Sequence, residues 1–461
     1  MKNSFFTLIF FGIILLVVSC STQTEKSNLK SDSIAAVSKK YDTGKIIRTV
    51  SCEGGFDFSY SLFLPENYSA QNKYPLILFF DPHAAGHIPI EQYAALANKF
   101  GYVLAGSNDS KNGMNPAVYQ QVYRAIKNHL TKRFNIDGKR IYLAGFSGGG
   151  RVASGIALGD ASIAGVISNS AGFDPSAYTP REGFVFIGIS GNEDFNLLEQ
   201  RRTEKNLEPY KGVFHQLIEF NGKHEWAPEE EMENAFIFLE CSAKKNHILI
   251  RNDSFLLKKY ESLMNQLDGI KSQEERFYLL KKLYAYQLAG IASSEMEKEF
   301  NALKSSAIIQ RIKIEEEESE AREAVQQTAL YDKLFTEEIS WWITSVKQWN
   351  NPNLQKKEKQ LNRRLQSYIS LAVYMTIISP EAQNEIILLE KLITIYELVD
   401  AQNPEWAYQK AVLRARQGNK KEAIQLLQIC EQLKFSDKER IASQPEFSSL
   451  LQDSDFPSAL R

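Results

Sequence analysis

Three polar residues in the first half of this 461-residue chain have the types and order needed for nucleophilic catalysis. Ser147 lies in the segment Gly145-Phe-Ser-Gly-Gly, between an apolar run and a helix-like stretch. A serine hydroxyl is a weak nucleophile until a base removes its proton, and an acid commonly orients that base. Asp194 and His224 follow in the chain and supply such an acid and base. The pattern predicts a Ser-His-Asp triad with Ser147 as nucleophile.

The same glycine-rich segment also fits a dinucleotide site. Gly148, Gly150 and Ala153 match the Gly-x-Gly-x-x-Ala fingerprint that cradles a pyrophosphate. Asp174 lies where a ribose-binding acid is expected. That fingerprint usually follows the first strand of its domain, whereas several strand-like segments come earlier here. The stretch AGFS also separates the strand from the first fingerprint glycine. The surroundings therefore favour a nucleophile over a cofactor site, and no cofactor is expected.

Asp194 and His224 also have plainer interpretations. Asp194 could cap the helix-like stretch that follows it, as aspartate often does. The adjacent Glu193 could be the acid instead, and His224 could be an exposed turn residue. The other histidines are His83, His87, His129, His215 and His247. Only His224 both comes after the serine and the acid and follows a strand-like segment, so it remains the predicted base.

Alternating strand-like and helix-like segments over residues 45–241 must position these side chains. The strand-like segments are YSLFLP, YPLILFF, YVLAGSN, RIYLAGF, IAGVISN, GFVFIGIS and HQLIEF. Because most are nearly continuously apolar and helical stretches separate them, they predict an α/β fold with a mostly parallel, doubly wound sheet. Ser147, Asp194 and His224 each follow such a strand. They are therefore expected at one edge of the sheet, where open α/β sheets keep their sites.

Three segments together resemble the α/β-hydrolase superfamily: Gly145-Phe-Ser-Gly-Gly, the turn Gly191-x-x-Asp194, and Gly222-Lys-His-Glu-Trp. More narrowly, they are similar to secreted esterases related to polyhydroxybutyrate depolymerases and to feruloyl or acetylxylan esterases. The early segment YSLFLPENYSAQNKYPLILFFDPHAAG adds to this likeness, which covers about residues 48–240. The resemblance implies a serine esterase that works through an acyl-enzyme.

The resemblance also implies an oxyanion hole formed by two backbone N–H groups. Gly148, the residue after the nucleophile, is expected to supply one of them. Relatives usually have His-Gly in the loop that supplies the other, but this chain has Asp81-Pro82-His83. Proline has no N–H to donate, so His83 is the expected donor and Ala84 the second choice.

The connection at residues 170–182 is too short for the helical lid that this fold often carries. We therefore expect an open site suited to a large or surface-bound ester, unless the helical second half of the chain covers it. Phe173 and Tyr178 in this connection are candidate pocket-lining residues.

The N-terminus has the features of an export signal. Lys2 precedes an apolar stretch that ends in Val-Val-Ser-Cys20, and this resembles the cleavage box of bacterial lipoproteins. The resemblance implies that residues 1–20 are removed as a signal peptide up to a lipidated Cys20, anchoring the protein to a bacterial membrane, with the outer membrane favoured. An ordinary signal peptide or an uncleaved anchor is the alternative. Residues 21–44 are polar and are expected to form a flexible tether. Cys52, Cys241 and Cys430 are odd in number and far apart, so buried free thiols are expected.

Residues 242–461 follow a different pattern, with few glycines and many helix-like stretches. Two amphipathic stretches meet at Gly418-Asn419, where Leu413 on the first can face Ala423 and Leu427 on the second. This resembles one tetratricopeptide unit and predicts an all-α domain. An irregular helical bundle is the alternative.

The net charge and the absence of certain motifs reduce the number of possible functions. The formal net charge is only −2, so no global field indicates nucleic-acid binding. Cys-x-x-Cys and phosphate-loop spacings do not occur, and no metal site is expected. The expected partners are an ester substrate, the membrane and a protein bound by the helical half. A serine peptidase and a non-catalytic interaction protein remain as alternatives.

Overall fold

The computed structural model describes residues 41–53, 57–173, 180–248, 250, 253–435 and 437–461. Within these ranges the chain forms one eight-stranded sheet flanked by helices and then a long all-helical region. The predicted lipidation residue Cys20, the predicted ribose-binding Asp174 and the candidate pocket residue Tyr178 lie outside them.

The sheet has the strand order β1-β2-β4-β3-β5-β6-β7-β8. Its strands are β1 Ile46–Ser51, β2 Ser59–Phe63, β3 Tyr74–Phe80, β4 Val103–Ser107, β5 Ile136–Phe146, β6 Gly165–Asn169, β7 Val185–Gly191 and β8 Phe214–Phe220. β2 pairs antiparallel with β1 and β4, and every other pairing is parallel. This is the α/β-hydrolase fold.

Burial explains which strands the sequence predicts well. β3 and β7 are buried along their whole length, as apolar runs covered on both faces should be. β1 is mostly exposed and lies at the edge of the sheet, so the segment IIRTVS lacks a continuous apolar run. For this reason β1 is not among the strands that the sequence predicts.

Five helices cover the sheet. They are α1 His87–Phe100, α2 Pro116–Arg133, α3 Gly148–Gly159, α4 Leu197–Leu207 and α5 Glu229–Lys245. In α2, Val122, Ile126 and Leu130 are buried, as their helical spacing predicted. The predicted parallel sheet with helices on both faces is thus confirmed.

The helical half contains eleven further α-helices among the described residues. They are α6 Asp253–Leu267, α7 Gln273–Leu288, α8 Ser294–Lys304, α9 Ala307–Thr336, α10 Ile339–Trp349, α11 Lys356–Ile377, α12 Pro380–Gln383, α13 Ile386–Val399, α14 Glu405–Arg416, α15 Lys420–Gln432 and α16 Lys438–Ser443. None of the described helices is both long and apolar enough to cross a membrane.

The apolar core does not end where the sheet ends. One buried cluster runs from Ile77 and Phe79 of β3, through Phe236 of α5, to Phe277 of α7 and Ile309 of α9. A separate cluster fills the helices beyond residue 330. The helices that directly follow residue 242 are therefore packed onto the eight-stranded sheet, and this apolar core continues across the predicted domain boundary at residues 241/242.

The helical hairpin predicted near the C-terminus is present as α14 and α15. Leu413, Ala423 and Leu427 are all buried between the two helices, and Gly418 has the positive φ of 81° that the tight turn needs. The likeness of this unit to a tetratricopeptide stays a prediction.

The structure changes two predictions: where the N-terminal tether ends, and how deeply the cysteines are buried. The predicted tether over residues 21–44 is too long at its C-terminal end, because Tyr41 packs 5.6 Å from Phe134 and the Gly44 N–H donates to Leu64 O at 2.8 Å. All three described cysteines are free thiols, and Cys241 and Cys430 are buried as expected. Cys52 is only half-buried.

Candidate active site

Ser147 occupies a sharp turn between β5 and α3. Its backbone has φ 53° and ψ −122°, a strained conformation for a residue with a Cβ. The turn is held because the Ser147 N–H donates to Asn169 O at the end of β6, at 2.9 Å. A strained serine on a strand-to-helix turn projects its hydroxyl out of the sheet edge, which is the geometry of a nucleophile elbow.

The glycines of the motif are required by close backbone contacts. A Cβ built on Gly145 would overlap the carbonyl oxygen of Gly149, and a Cβ on Gly149 would overlap the carbonyl oxygen of Phe80. Only glycine allows β5, α3 and β3 to approach this closely. The Gly-x-Ser-x-Gly pattern is thus explained by packing at the elbow.

The structure brings the three predicted triad residues together. The Ser147 Oγ lies 3.0 Å from His224 Nε2, and His224 Nδ1 lies 2.9 Å from Asp194 Oδ1. They follow β5, β7 and β8, all at the C-terminal edge of the sheet. Ser147 and His224 are partly exposed, whereas Asp194 is fully buried. A buried acid that accepts from Nδ1 leaves Nε2 as the base for the serine proton.

Asp194 makes the contact with His224 that was predicted for a triad acid, and it does not cap α4, whose N-cap residue is Asn196. Its Oδ1 also accepts the Asn196 N–H at 2.8 Å, just before α4 begins. This second donor fixes the carboxylate in its turn. Glu193, the alternative acid, is directed elsewhere and pairs with Arg363 of α11. Asp194 is therefore the carboxylate that contacts the histidine.

Asn169 links the serine turn to the histidine loop. Its backbone carbonyl accepts the Ser147 N–H, and its side-chain Oδ1 accepts the Ala227 N–H at 2.6 Å. Its Nδ2 donates to Glu225 O at 3.2 Å. Because Asn169 is fully buried, these bonds hold the Ser147 turn and the His224 loop in a fixed relation.

Aromatic rings support the histidine. The His224 ring lies 4.7 Å from Phe146 and 4.3 Å from Phe195, measured between centroids. Trp226 packs against Phe146 at 5.5 Å. These contacts restrict the imidazole to one orientation and give the partly exposed site an apolar wall beside Ser147.

The two predicted oxyanion donors have different surroundings. Gly148 opens α3, so its N–H belongs to the first turn and has no carbonyl one turn earlier in the helix to bond. The His83 N–H instead donates to Asp81 Oδ1 at 2.8 Å, and the Ala84 N–H donates to Asp81 O at 3.2 Å. Both amides are thus bonded to Asp81, and the assignment of His83 or Ala84 as the second oxyanion donor stays a prediction.

Asp81 organises that loop. Its Oδ1 accepts from His83 and also from the Ala85 N–H at 3.3 Å, while its Oδ2 accepts the Trp226 Nε1–H at 3.1 Å. Asp81 is 3% exposed, so its charge is compensated by these three donors. The Asp-Pro dipeptide could have indicated such a turn, because aspartate commonly accepts from amides two residues ahead.

The connection between β6 and β7 contains no helix among its described residues, 170–173 and 180–184. Phe173, predicted to line the pocket, is partly buried and packs its ring against the core, 4.9 Å from Phe186 of β7. Across the described residues no group of three or more His, Cys, Asp or Glu side chains is arranged to hold a metal ion.

Several residues near the triad were not predicted from the sequence. Phe146 and Phe195 flank the base, Asn169 bridges two loops, and Arg363 and Arg364 reach the acid turn from α11. Phe146 and Phe195 are adjacent to motif residues, which is the one signal that could have indicated them. The arginines gave no such signal.

No family model matches this chain, and no curated protein matches its sequence. Solved structures align with its first half. A fluorophosphonate-binding serine hydrolase of Staphylococcus aureus, FphF, is 15% identical and covers 42% of this chain and 98% of its own, with a TM-score of 0.34. A thermostable esterase of Pseudomonas putida is 17% identical over 46% of this chain and 86% of its own, with a TM-score of 0.33. A ferulic acid esterase is 17% identical over 42% of this chain and 94% of its own, with a TM-score of 0.32. Each alignment covers less than half of this chain.

Proposed function

We propose that this protein is a serine hydrolase that cleaves carboxylic esters through an acyl-enzyme. The observation that carries the proposal is the continuous contact from Ser147 Oγ to His224 Nε2 at 3.0 Å and from His224 Nδ1 to Asp194 Oδ1 at 2.9 Å. The strained φ of Ser147 supports it, because strain of this kind persists where function needs it.

In the proposed reaction, Ser147 Oγ attacks the acyl carbonyl while His224 Nε2 takes the hydroxyl proton. The Gly148 N–H stabilises the oxyanion that forms. His224 returns the proton to the leaving alkoxide oxygen, so the alcohol departs and the acyl group stays on Ser147. His224 then deprotonates a water that attacks the acyl-enzyme, and it gives this proton to Ser147 Oγ as the carboxylic acid is released. Asp194 holds the imidazole tautomer and stabilises its cation throughout.

The proposed substrate is a large or surface-bound ester, such as an acylated glycan. The support is the partial exposure of Ser147 and His224 and the helix-free described parts of the β6–β7 connection. A site without a lid can admit an acyl group that projects from a polymer. A peptide substrate would use the same triad, so a peptide panel belongs beside the ester panel.

We further propose that the mature chain is tethered to a bacterial membrane through a lipidated Cys20. The support is the box Val-Val-Ser-Cys20 after an apolar stretch. Mass spectrometry of the purified protein should find an acylated N-terminal Cys20, and Cys20→Ala should move the protein out of the membrane fraction. An unmodified chain beginning at another residue would refute the lipid anchor.

A second candidate function is a non-catalytic interaction protein whose helical half binds a partner. The observation that favours it is the His83 N–H, which donates to Asp81 and leaves the oxyanion hole without its expected second donor. Losing one such donor commonly costs about 10²- to 10³-fold in kcat. Activity far below that of ordinary esterases would favour this candidate.

Labelling with a fluorophosphonate tests the enzyme proposal directly. The full-length protein should become labelled on Ser147 and should hydrolyse short acyl nitrophenyl esters. Ser147→Ala should abolish both, while the matched variant Ser305→Ala, at an exposed helix end, should retain them. Absence of labelling in a protein whose folding is verified by circular dichroism would refute the hydrolase proposal. A panel of acetylated and feruloylated glycans then addresses the substrate class.

A further inference from the structure

The acid turn that carries Asp194 is joined to the loop that carries His224. The Asn192 N–H donates to Phe220 O at 2.8 Å, and the Glu193 N–H donates to Gly222 O at 2.9 Å. The position of Asn192 and Glu193 therefore affects both partners of the Asp194–His224 hydrogen bond. Anything that fixes these two residues also fixes the base.

Arg364 of α11 contacts this turn from the helical half. Its Nη1 donates to Asn192 O at 2.7 Å. Its Nε and Nη2 donate to Glu323 of α9, with the closest contact at 2.6 Å. Arg364 is 9% exposed and Glu323 is 1% exposed. A buried bidentate pair holds the planar guanidinium in one orientation, which leaves Nη1 aimed at the carbonyl.

Arg363, the neighbour of Arg364, contacts the next residue of the turn. It donates to the carboxylate of Glu193, which is 9% exposed, whereas the Arg363 side chain is 54% exposed. The pair therefore adds a second contact between the acid turn and α11.

Two more ion pairs join the helical half to α4, the helix that starts directly after the acid turn. Arg201 donates to Glu320 of α9 at 3.0 Å, and Lys205 donates to Glu317 of α9 at 2.8 Å. These pairs are partly or fully exposed, so each contributes little to stability by itself. Together with Arg363 and Arg364 they attach both ends of the acid turn to the helical half.

We infer that the helical half positions the catalytic acid, with Arg364, oriented by Glu323, as the residue that fixes the Asn192–Asp194 turn and through it His224. Arg364 touches neither substrate nor reacting atoms and acts through the turn. This inference rests on the proposed function for its kinetic readout. It assigns the helical half a role in building the active site, in addition to any partner that this half binds.

Arg364→Gln in the full-length protein tests the inference. Displacing a reacting group by about 1 Å can cost about 10²-fold in rate, so kcat for a nitrophenyl ester should fall at least ~10-fold while KM changes less than ~2-fold. Arg364→Lys retains the positive charge but not the planar fork, so it should recover part of the lost kcat. Glu323→Gln leaves Arg364 in place but weakens its orientation, so it should lower kcat in the same direction by a smaller factor.

A matched control separates positioning from general destabilisation. Arg440 of α16 makes a similar bidentate pair with Glu405 of α14, at 2.7 and 2.9 Å, within the helical half. Arg440→Gln should lower thermal stability as Arg364→Gln does, yet leave kcat unchanged at temperatures below unfolding. Equal kcat losses in the two variants, or an unchanged kcat in Arg364→Gln, would overturn the inference.

Proton NMR supplies a readout that does not need turnover. The proton on His224 Nδ1, hydrogen-bonded to a buried carboxylate, should give a strongly downfield signal in the wild type. That signal should shift or broaden in Arg364→Gln and stay unchanged in Arg440→Gln. If wild-type protein neither labels nor hydrolyses esters but the signal responds to Arg364→Gln, then the proposed function fails and the positioning role stands. If the signal is unchanged in Arg364→Gln, the positioning role is refuted even when the wild-type protein is active.

Discussion

Glu193 and Asp194 are neighbours in sequence, yet their carboxylates have partners on opposite sides of the acid turn. Asp194 Oδ1 lies 2.9 Å from His224 Nδ1, whereas Glu193 pairs with Arg363 of the helical half. We therefore expect Asp194→Asn to lower kcat about 10³- to 10⁴-fold, because the imidazole loses its tautomer and its counter-charge. Glu193→Gln should lower kcat about 10-fold or less. Steady-state kinetics on a nitrophenyl ester compares the two, and a larger loss in Glu193→Gln would move the acid role to Glu193.

Two glycines of α3 should respond in opposite directions to alanine. A Cβ at Gly149 would overlap the Phe80 carbonyl, so Gly149→Ala should lower the free energy of unfolding by about 1–3 kcal/mol or more. A Cβ at the exposed Gly155 meets no described atom within 4 Å, so Gly155→Ala should raise it by about 0.5–1 kcal/mol. Urea unfolding measures both. Equal effects at the two positions would contradict the close approach of α3 to β3.

Asp81→Asn tests the organisation of the loop next to the nucleophile. Either orientation of the asparagine amide places its NH₂ group against a donor, the Trp226 indole or the amides of His83 and Ala85. We expect a loss of about 1–3 kcal/mol in the free energy of unfolding, together with a lower kcat. In the Trp226→Phe background the loss should be smaller, because the indole donor is gone. A full loss in both backgrounds would show that Trp226 is not the relevant partner.

A buried ion pair fixes α5 to β5. Glu240 is fully buried, pairs with Arg140 and accepts the Tyr102 hydroxyl at 2.6 Å. Glu240→Gln should lower the free energy of unfolding by about 3–5 kcal/mol, because it leaves the Arg140 charge buried and uncompensated. The exposed pair of Arg311 with Glu315 is the control, and Glu315→Gln should cost about 0.5 kcal/mol or less. Chemical denaturation gives both values, and similar costs would contradict the burial of the Glu240 pair.

Asp160, at the end of α3, should make stability depend on acid pH. Burial by itself would raise the pKa of this carboxyl, but hydrogen bonds from Lys127, Ser162 and Tyr123 outweigh burial and hold the pKa well below its usual value. A lowered folded-state pKa adds stability above the unfolded-state pKa of about 4, and that stability is lost as the pH falls. Asp160→Asn should thus cost about 1–2 kcal/mol at neutral pH and much less near pH 2. Urea unfolding at both pH values checks this, and a cost that does not change with pH would refute it.

The sequence predicts the sheet and the proximity of Ser147, His224 and Asp194 well because both depend on local patterns. Apolar runs indicate buried parallel strands, and the Gly-x-Ser-x-Gly spacing reflects a steric requirement at one turn. The chain order then places Asp194 and His224 at later strand ends, where the topology brings them to Ser147. The exposed edge strand β1 has no such pattern and was not predicted.

The contacts that position the acid could not be predicted in the same way. Arg363 and Arg364 lie in a polar stretch of α11 that is typical of a solvated helix face. Their partners Glu193, Asn192 and Glu323 are distant in sequence, and one of the bonds is to a backbone carbonyl. The amino-acid sequence gives no signal that identifies a particular backbone carbonyl as a hydrogen-bond acceptor. The position of α11 against the sheet decides these contacts. It depends on α9, which contributes Ile309 to the core shared with the sheet and Leu330 to the separate core that contains α11.

The separation of Asn192 and Arg364 by 172 positions in the sequence also has a consequence for the synthesis of the protein. Synthesis proceeds from the N-terminus at ~5–20 residues per second, so roughly 10–30 seconds pass between the appearance of the two residues. During this interval a growing chain already contains serine, acid and base but lacks the arginine that holds the acid turn. If Arg364 has the proposed positioning role, a nascent or prematurely terminated chain has weak activity. Full hydrolytic activity is then reached only after Arg364 has been synthesised.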